Sequence, residues 1–387
     1  MLAQIREITL MNLRNLPSRL GSSSVIVVGI AGVVAVLVSI LAMAAGFRAA
    51  LESTAAPDRA IVLRGGSGGE LSSGINQESV NIVAQMEGIV AASGELYTIA
   101  DVPKRSNGTA ANLVVRGVDQ SAFVVRPELK IVEGRTFEPG KGELIVGRRA
   151  REEFAGIDLD AMVRFRDSDW KIVGVFESAG DANESEVWAD GKVVQAAFRR
   201  GGGVSTMRVQ LTDPAVIDSI AERIANDPRL DLQIRSERDF YGDQSKRLST
   251  IITSFGYLVG VIMAIGAVFA ALNTMYSAVT TRTVEIATLR AIGFGATPVL
   301  ISVMIEALLL AVVGGLFGAV LSYVIFNGMT VSTLNSGSFS QVGFDFAVTP
   351  KLMTQGLTWA VSLGFVGGLF PAVRATRLPI TVALRGE

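Results

Sequence analysis

The chain contains neither histidine nor cysteine, which narrows the chemistry it can carry. Without imidazole there is no Ser-His pair and no His-containing zinc site. Without thiols there are no disulfides, thiolate nucleophiles or iron–sulfur clusters. The run Gly134-Arg-Thr-Phe-Glu-Pro-Gly140-Lys141-Gly142 comes nearest to a phosphate loop. A Walker A loop places four residues between its glycines and a Ser or Thr after the lysine, to hold Mg²⁺. Here five residues intervene and Gly142 follows the lysine, so the run reads as a turn between strands. The carboxylate pairs Glu152-Glu153 and Glu184/Glu186 read as solvated helix or loop charges, and Asn107-Gly-Thr109 and Asn183-Glu-Ser185 as chance acceptor patterns. None of these is a catalytic constellation. Any nucleotide energy must come from another chain.

One carboxylate stands apart. Glu306 lies inside an apolar stretch, about seven residues or ~10 Å along a helix. Carboxylates within a membrane are costly and often functional. Two roles are open for it. One is a buried interhelical bond near the cytoplasmic interface, reaching Arg290 or a threonine of the preceding loop. The other is a direct part in coupling or substrate handling. The remaining apolar stretches carry no ionisable residue, which argues against a proton relay or a charged pore.

Those stretches define the architecture. Half of the 387 residues are apolar (49%) and 18% are charged, against about 25% in a soluble domain. No charge occurs in residues 20–47, 248–281, 307–344 or 352–373. Runs of 18 or more apolar residues can cross a ~30 Å hydrocarbon core as helices. The expected fold is therefore a membrane protein of four transmembrane α-helices, at residues 22–46, 251–280, 298–326 and 352–373. The first run is too long for the ~7–15-residue core of a signal peptide and reads as an uncleaved anchor. The pairs Gly256/Gly260, Gly314/Gly318 and Gly364/Gly368 have the spacing that lets helices approach closely, though glycine is common in such helices anyway.

Arg6, Arg14, Arg19, Arg282, Arg290, Arg374, Arg377 and Arg385 flank the spans on one side, with only Glu7, Glu285 and Glu387 against them. Basic flanks stay inside, so both termini and the loop 281–297 are expected in the cytoplasm. Residues 47–250 then form a large extracytoplasmic domain between spans one and two. Strand-like runs at Ala60–Leu63, Asn112–Val118, Leu129–Val132, Leu144–Val146, Met162–Phe165, Trp170–Phe176 and Thr206–Leu211 alternate with helical patterns at Gln77–Met86 and Pro214–Ala225. An α+β domain follows. Gly65–Gly74 reads as a mobile loop. In the short outer loop 327–351, Phe339, Val342, Phe344 and Phe346 alternate as in a hairpin lying against the main domain. A net charge of −1 gives no case for nucleic acid.

Two cytoplasmic elements are patterned. Residues 1–21 place Leu2, Ile5, Leu13 and Leu16 at helical spacing between arginines, as an interfacial helix does. In the loop 281–297, Arg282 and Glu285 fall at i, i+3 and can pair. Ile286, Leu289 and Ile292 make an apolar stripe, and Gly293 and Gly295 supply a stop. An amphipathic helix of this kind offers a docking surface. The tail is residues 374–387.

Arg282-Thr-Val-Glu285-Ile-Ala-Thr-Leu-Arg290-Ala-Ile-Gly293 directly after a span resembles the signature of MacB/FtsX-type (type VII) ABC transporter permeases. So do Glu306-Ala-Leu-Leu-Leu with Gly314-Gly-Leu-Phe-Gly318, and the tail Pro371-Ala-Val-Arg374-Ala-Thr-Arg377-Leu-Pro379. Glu133-Gly-Arg-Thr-Phe137, Glu143-Leu-Ile-Val-Gly147 and Trp170-Lys-Ile-Val-Gly-Val-Phe176 are similar too, so the likeness runs along the whole chain. The resemblance implies a non-catalytic permease subunit of a bacterial inner membrane that pairs as a dimer and binds a separate ATPase, which holds the ATP and Mg. No cofactor is expected in this chain. Such a machine moves its outer domains, for export or extraction of a hydrophobic, peptide or lipid-type substrate, or to regulate an outer hydrolase or sensor. The helix between spans two and three would dock the ATPase through Arg282, Glu285, Ile286, Leu289 and Arg290, with Glu306 as an intramembrane coupling residue. Further expected partners are membrane lipids, a periplasmic membrane-fusion adaptor and an outer-membrane channel.

Overall fold

The computed structural model describes residues 2–14, 20–335 and 340–377. In chain order the helices are α1 (Leu2–Arg14), α2 (Leu20–Glu52), α3 (Gln77–Ala84), α4 (Ser121–Val125), α5 (Arg148–Glu153), α6 (Gly191–Ala197), α7 (Ile217–Asn226), α8 (Glu237–Thr281), α9 (Thr283–Ala291), α10 (Ala296–Phe326) and α11 (Pro350–Thr376). The strands are β1 (Arg59–Arg64), β2 (Ile89–Pro103), β3 (Ala110–Val118), β4 (Lys130–Gly134), β5 (Glu143–Gly147), β6 (Met162–Phe165), β7 (Ser168–Glu177), β8 (Glu186–Asp190), β9 (Thr206–Leu211), β10 (Leu232–Ser236), β11 (Thr330–Asn335) and β12 (Ser340–Asp345). They divide into two units. A helical one takes residues 1–45, 251–329 and 346–387, and an α/β one takes residues 46–250 and 330–345.

In the helical unit, α2, α8, α10 and α11 are each long and apolar enough to cross a membrane. Glycine decides how closely they pack. A Cβ at Gly318 of α10 would stand 2.4 Å from the Ala31 carbonyl oxygen of α2. One at Gly364 of α11 would stand 2.3 Å from the Ala311 Cβ of α10. Neither distance is sterically possible, so the small-residue spacing does seat these helices backbone to backbone. On α8, by contrast, Phe255, Leu258, Ile262, Ile265 and Phe269 are exposed, an apolar face suited to lipid or to a further helix. Leu13 and Leu16 of the expected interfacial helix, Phe339 and Arg385 lie outside the residues whose side chains are described.

In the α/β unit a ten-stranded sheet runs β10-β1-β9-β2-β3-β8-β5-β7-β4, with β6 paired to β7. Most neighbours are antiparallel, but β3–β8 and β5–β7 are parallel, which mixes the sheet as an α+β domain does. One core gathers Trp170, Leu144, Val187 and Phe154 under α5 and α6. A second gathers Val62, Met207 and Val83 under α3 and α7, where Ile220 and Ile224 face inward. Asp213 caps the turn before α7, accepting from Ala215 N–H at 2.7 Å. Gly134 takes φ +72° and a Cβ there would meet the Val173 carbonyl oxygen at 2.2 Å. The phosphate-loop look-alike is thus the end of β4 and a turn towards β5.

The hairpin β11–β12 belongs to this unit. The Arg149 guanidinium donates to the Gly343 carbonyl at 2.7 Å, the Gly343 N–H donates to Ser185 Oγ at 2.9 Å, and Phe344 meets the Phe47 ring edge-on at 5.5 Å. Two expectations need correcting. Residues 65–74 carry a tight turn whose Glu70 is buried, so a carboxylate pins a segment expected to be mobile. Glu184 and Glu186 are likewise buried and not solvated. The Glu184 carboxylate accepts from the Ser178 and Gly180 N–H groups, and Glu186 is bound by Arg116.

Candidate coupling site

α8 ends at Thr281, and one residue separates it from α9. That residue is Arg282, the N-cap of α9. Glu285 in the first turn and Arg290 in the last suit the helix dipole. Gly293, at φ +102°, lets the chain turn out of the helix where a side chain would be strained. Pro298 lies in the first turn of α10, where its missing N–H leaves no helix bond unmade.

Arg282 does not pair with Glu285 as the i, i+3 spacing suggested. It turns into the bundle, where its Nη1 donates to Glu306 Oε2 at 2.9 Å and its Nη2 to Oε1 at 3.5 Å. Both side chains are about 6% exposed. Glu306 therefore makes the buried interhelical bond that was one of its two expected roles, but with Arg282 in place of Arg290 or a threonine. The pair sits beside a narrow, mostly apolar cleft lined by Ile8 and Met11 of α1, Met275 and Val279 of α8, and Val303 of α10.

Ile286 and Leu289 line the same cleft, and Ile286 is only 6% exposed. The apolar stripe is thus split. Ile286 and Leu289 face the chain's own bundle, whereas Val284 and Ile292 are 54% and 69% exposed, next to an exposed Glu285. Arg290 is half-buried. The large or charged side chains that α9 and its C-cap leave exposed are Val284, Glu285 and Ile292; Glu285, which also borders the cleft, and Ile292 were expected, and Val284 was not.

A second cluster, in the α/β unit, was missed altogether. Arg116 of β3 grips Glu186 of β8 with two bonds of 2.6 and 2.7 Å, and reaches Glu70 and Glu95 at 2.8 Å each. Arg208 of β9 donates to Glu237 at 2.7 Å, to the Tyr241 hydroxyl at 2.7 Å and to Glu70 at 3.3 Å. Arg126 bonds Glu95 and stacks over Trp188. Arg59 lies 3.1 Å from Glu237. All of these charges are buried. Burial alone would raise the Glu70 carboxyl, but Arg116 and Arg208 outweigh it and hold it down at about 2. Glu95 is lowered in the same way, against burial, by Arg126 and Arg116. The signal was an arginine in the middle of an apolar strand, in Leu113-Val-Val-Arg116 and Met207-Arg208-Val209.

Two family domains match in succession. Residues 23–227 match the MacB-like periplasmic core domain, and residues 257–380 match the FtsX-like permease C-terminal domain. The chain belongs to the MacB/FtsX-like ABC transporter permease family. This MacB/FtsX-like permease is a membrane protein, and its relatives are longer. The macrolide export ATP-binding/permease protein MacB of Bdellovibrio bacteriovorus is 25% identical over 390 residues, covering 92% of this chain and 58% of the relative. MacB of Sodalis glossinidius is 30% identical over 317 residues, covering 76% and 46% respectively. The permease thus spans about half the length of the curated relatives it matches. Among solved structures, the periplasmic region of MacB from Actinobacillus actinomycetemcomitans aligns with 47% of this chain and 90% of its own at 14% identity and TM-score 0.37.

Proposed function

We propose that this permease is a mechanotransmitting subunit. ATP binding and hydrolysis by an associated ATPase move α9, and the movement is carried along the spans to the α/β unit, which stands on the extracytoplasmic side of a bacterial inner membrane. The chain itself does no catalysis. Two copies pair, with both termini cytoplasmic, and the assembly exports or extracts a hydrophobic, peptide or lipid-type substrate with help from an adaptor and an outer-membrane channel. Macrolide export in the names of its relatives supports an apolar cargo.

The observation that carries this reading is the tie between α9 and α10. A short helix with exposed Val284, Glu285 and Ile292 offers a partner an apolar and acidic face. Its N-cap arginine is bonded to a carboxylate inside a 31-residue apolar helix, so a push on α9 is a push on α10. No proton path is needed, since Glu306 is already occupied by Arg282. The test is native purification in lipid nanodiscs with identification of what travels with the permease. Recovery of an ATPase whose turnover responds to the permease, together with an adaptor, is the expected result. Recovery of an outer hydrolase without an adaptor would replace transport by regulation, and no ATPase would end the proposal.

A further inference from the structure

The first turns of α8 hold to the sheet in an unusual way. Of its residues 237–250, the large apolar groups that are buried are Phe240 and Tyr241, and the other buried side chains are Glu237, Ser245 and Ser249. Apolar contact is non-directional and would let a helix roll or slip. Glu237 makes a directional joint. Its Oε1 accepts from Arg208 Nη1 at 2.7 Å, its Oε2 accepts from the Ala56 N–H at 3.2 Å, and Arg59 Nε lies 3.1 Å away. Tyr241, one turn on, accepts from Arg208 Nη2 at 2.7 Å. Arg208 also reaches Glu70 and Glu95, which are held in turn by Arg116 and Arg126. The strands β1, β9, β2, β3 and β8 are thereby wired to one helix turn. Well-packed apolar replacements of buried ion pairs are often as stable, so stability alone gives no reason for such a network. Directed charge-assisted bonds do fix orientation.

We infer that Glu237 and Arg208 are positioning residues that lock the rotation of α8 to strands β1 and β9, so that motion of the helix reaches the sheet without slippage. The lock stands on geometry within the α/β unit; its use in transmission rests on the function proposed above.

The absence of native cysteine makes spin labelling direct. Nitroxides at Arg247→Cys on α8 and Glu222→Cys on α7 report the helix against the sheet. A second pair, Ala84→Cys and Glu222→Cys, reports the sheet's own helices. All three positions are exposed. In the full chain in nanodiscs, the wild-type α8 pair should give one narrow distance distribution. Glu237→Gln should at least double its width, because the amide keeps one acceptor and turns a donor against the Arg208 or Ala56 donors. Glu237→Asp, which keeps the charge, should recover part of the narrowing, and Tyr241→Phe should broaden less than Glu237→Gln. The control pair should stay unchanged. An unchanged α8 pair in Glu237→Gln overturns the inference. Equal broadening in both pairs would reduce the network to general stability and overturn it too. These measurements need no ATPase, so failure of the transmission reading appears separately, as hydrogen exchange of the α/β unit that ignores ATP in the wild-type complex.

Discussion

Arg282 and Glu306 are 24 residues apart in the chain and 2.9 Å apart in space, and together they close the corner between α9 and α10. Removing one partner of a buried pair strands a charge and costs about 3–5 kcal/mol, whereas replacing both by apolar groups can be neutral. Arg282→Met and Glu306→Met should each lower the melting temperature in lipid, and the double variant should recover most of the loss. On the function proposed above, coupling between ATP hydrolysis and export should stay impaired in the double variant. A double variant no more stable than the singles would show that the pair does not act as a unit.

The two sides of α9 should separate by phenotype. Ile292→Ala removes an exposed apolar group and should weaken ATPase capture by about 1–2 kcal/mol, as loss of part of a desolvated contact does. Glu285→Arg should weaken it through charge. Ile286→Ala and Leu289→Ala should act mainly on stability, because those side chains face the bundle. Surface-immobilised permease titrated with the purified ATPase reads the difference.

Asp181 sets a pH dependence. Burial lifts its carboxyl to about 7, and Glu184 adds to the rise, against donors from Ser178 and Asn183. The other charges at this turn are Arg149, 3.8 Å from Glu184, and Asp345, bound to Arg149. The folded turn therefore keeps a proton that an unfolded carboxyl releases near pH 4. Its contribution to stability is greatest below that and falls as pH rises to about 7, by at most about 1.4 kcal/mol per pH unit. Hydrogen exchange at residues 178–185, corrected for intrinsic rates, should quicken over that window in the wild type and stay flat in Asp181→Asn. A slope that survives the substitution would assign it to another group.

Gly364→Leu should fail to assemble the helical unit, since its Cβ alone would overlap Ala311, and overpacking typically costs about 1–3 kcal/mol. Gly266→Leu, with nothing within 4 Å of the added Cβ, should be tolerated. Size-exclusion profiles after detergent extraction distinguish them, and equal behaviour would remove the packing argument.

Cysteine at Ser106 should react with an impermeant reagent added to intact spheroplasts, and cysteine at Ala291 should react only after lysis. Both positions are exposed. The reverse pattern would invert the proposed orientation.

Local pattern made much of this fold readable. β1, β3, β5, β7 and β9 are runs rich in Val, Ile and Leu between turn residues, and α2, α8 and α11 are uncharged over their apolar lengths, with Glu306 the one charge within that of α10. β2 was not legible. Ile89-Val-Ala-Ala-Ser-Gly-Glu-Leu has small and polar residues that favour no strand, and it is extended because β9 and β3 pair with it on both sides. β8 was hidden behind Glu186, which looks solvated until Arg116, 70 residues earlier, is brought beside it. The candidate coupling site shows the same limit. A helix was visible within residues 281–297, but which face it turns inward depends on how α1, α8 and α10 pack against it, which its own periodicity cannot show.

The hairpin β11–β12 also constrains the order of events during synthesis. Arg149 must wait for Gly343, 194 residues later, and Lys104 for Ser332, 228 residues later. At about 5–20 residues per second the ribosome needs roughly 10–40 s to cover the shorter of these gaps. In the later part of that time, once residue 250 has been made, the α/β unit exists without its last two strands while two more spans are being inserted. A nascent chain arrested before residue 330 should therefore expose the Arg149 and Ser185 edge to proteases and chaperones, and one released after residue 345 should not.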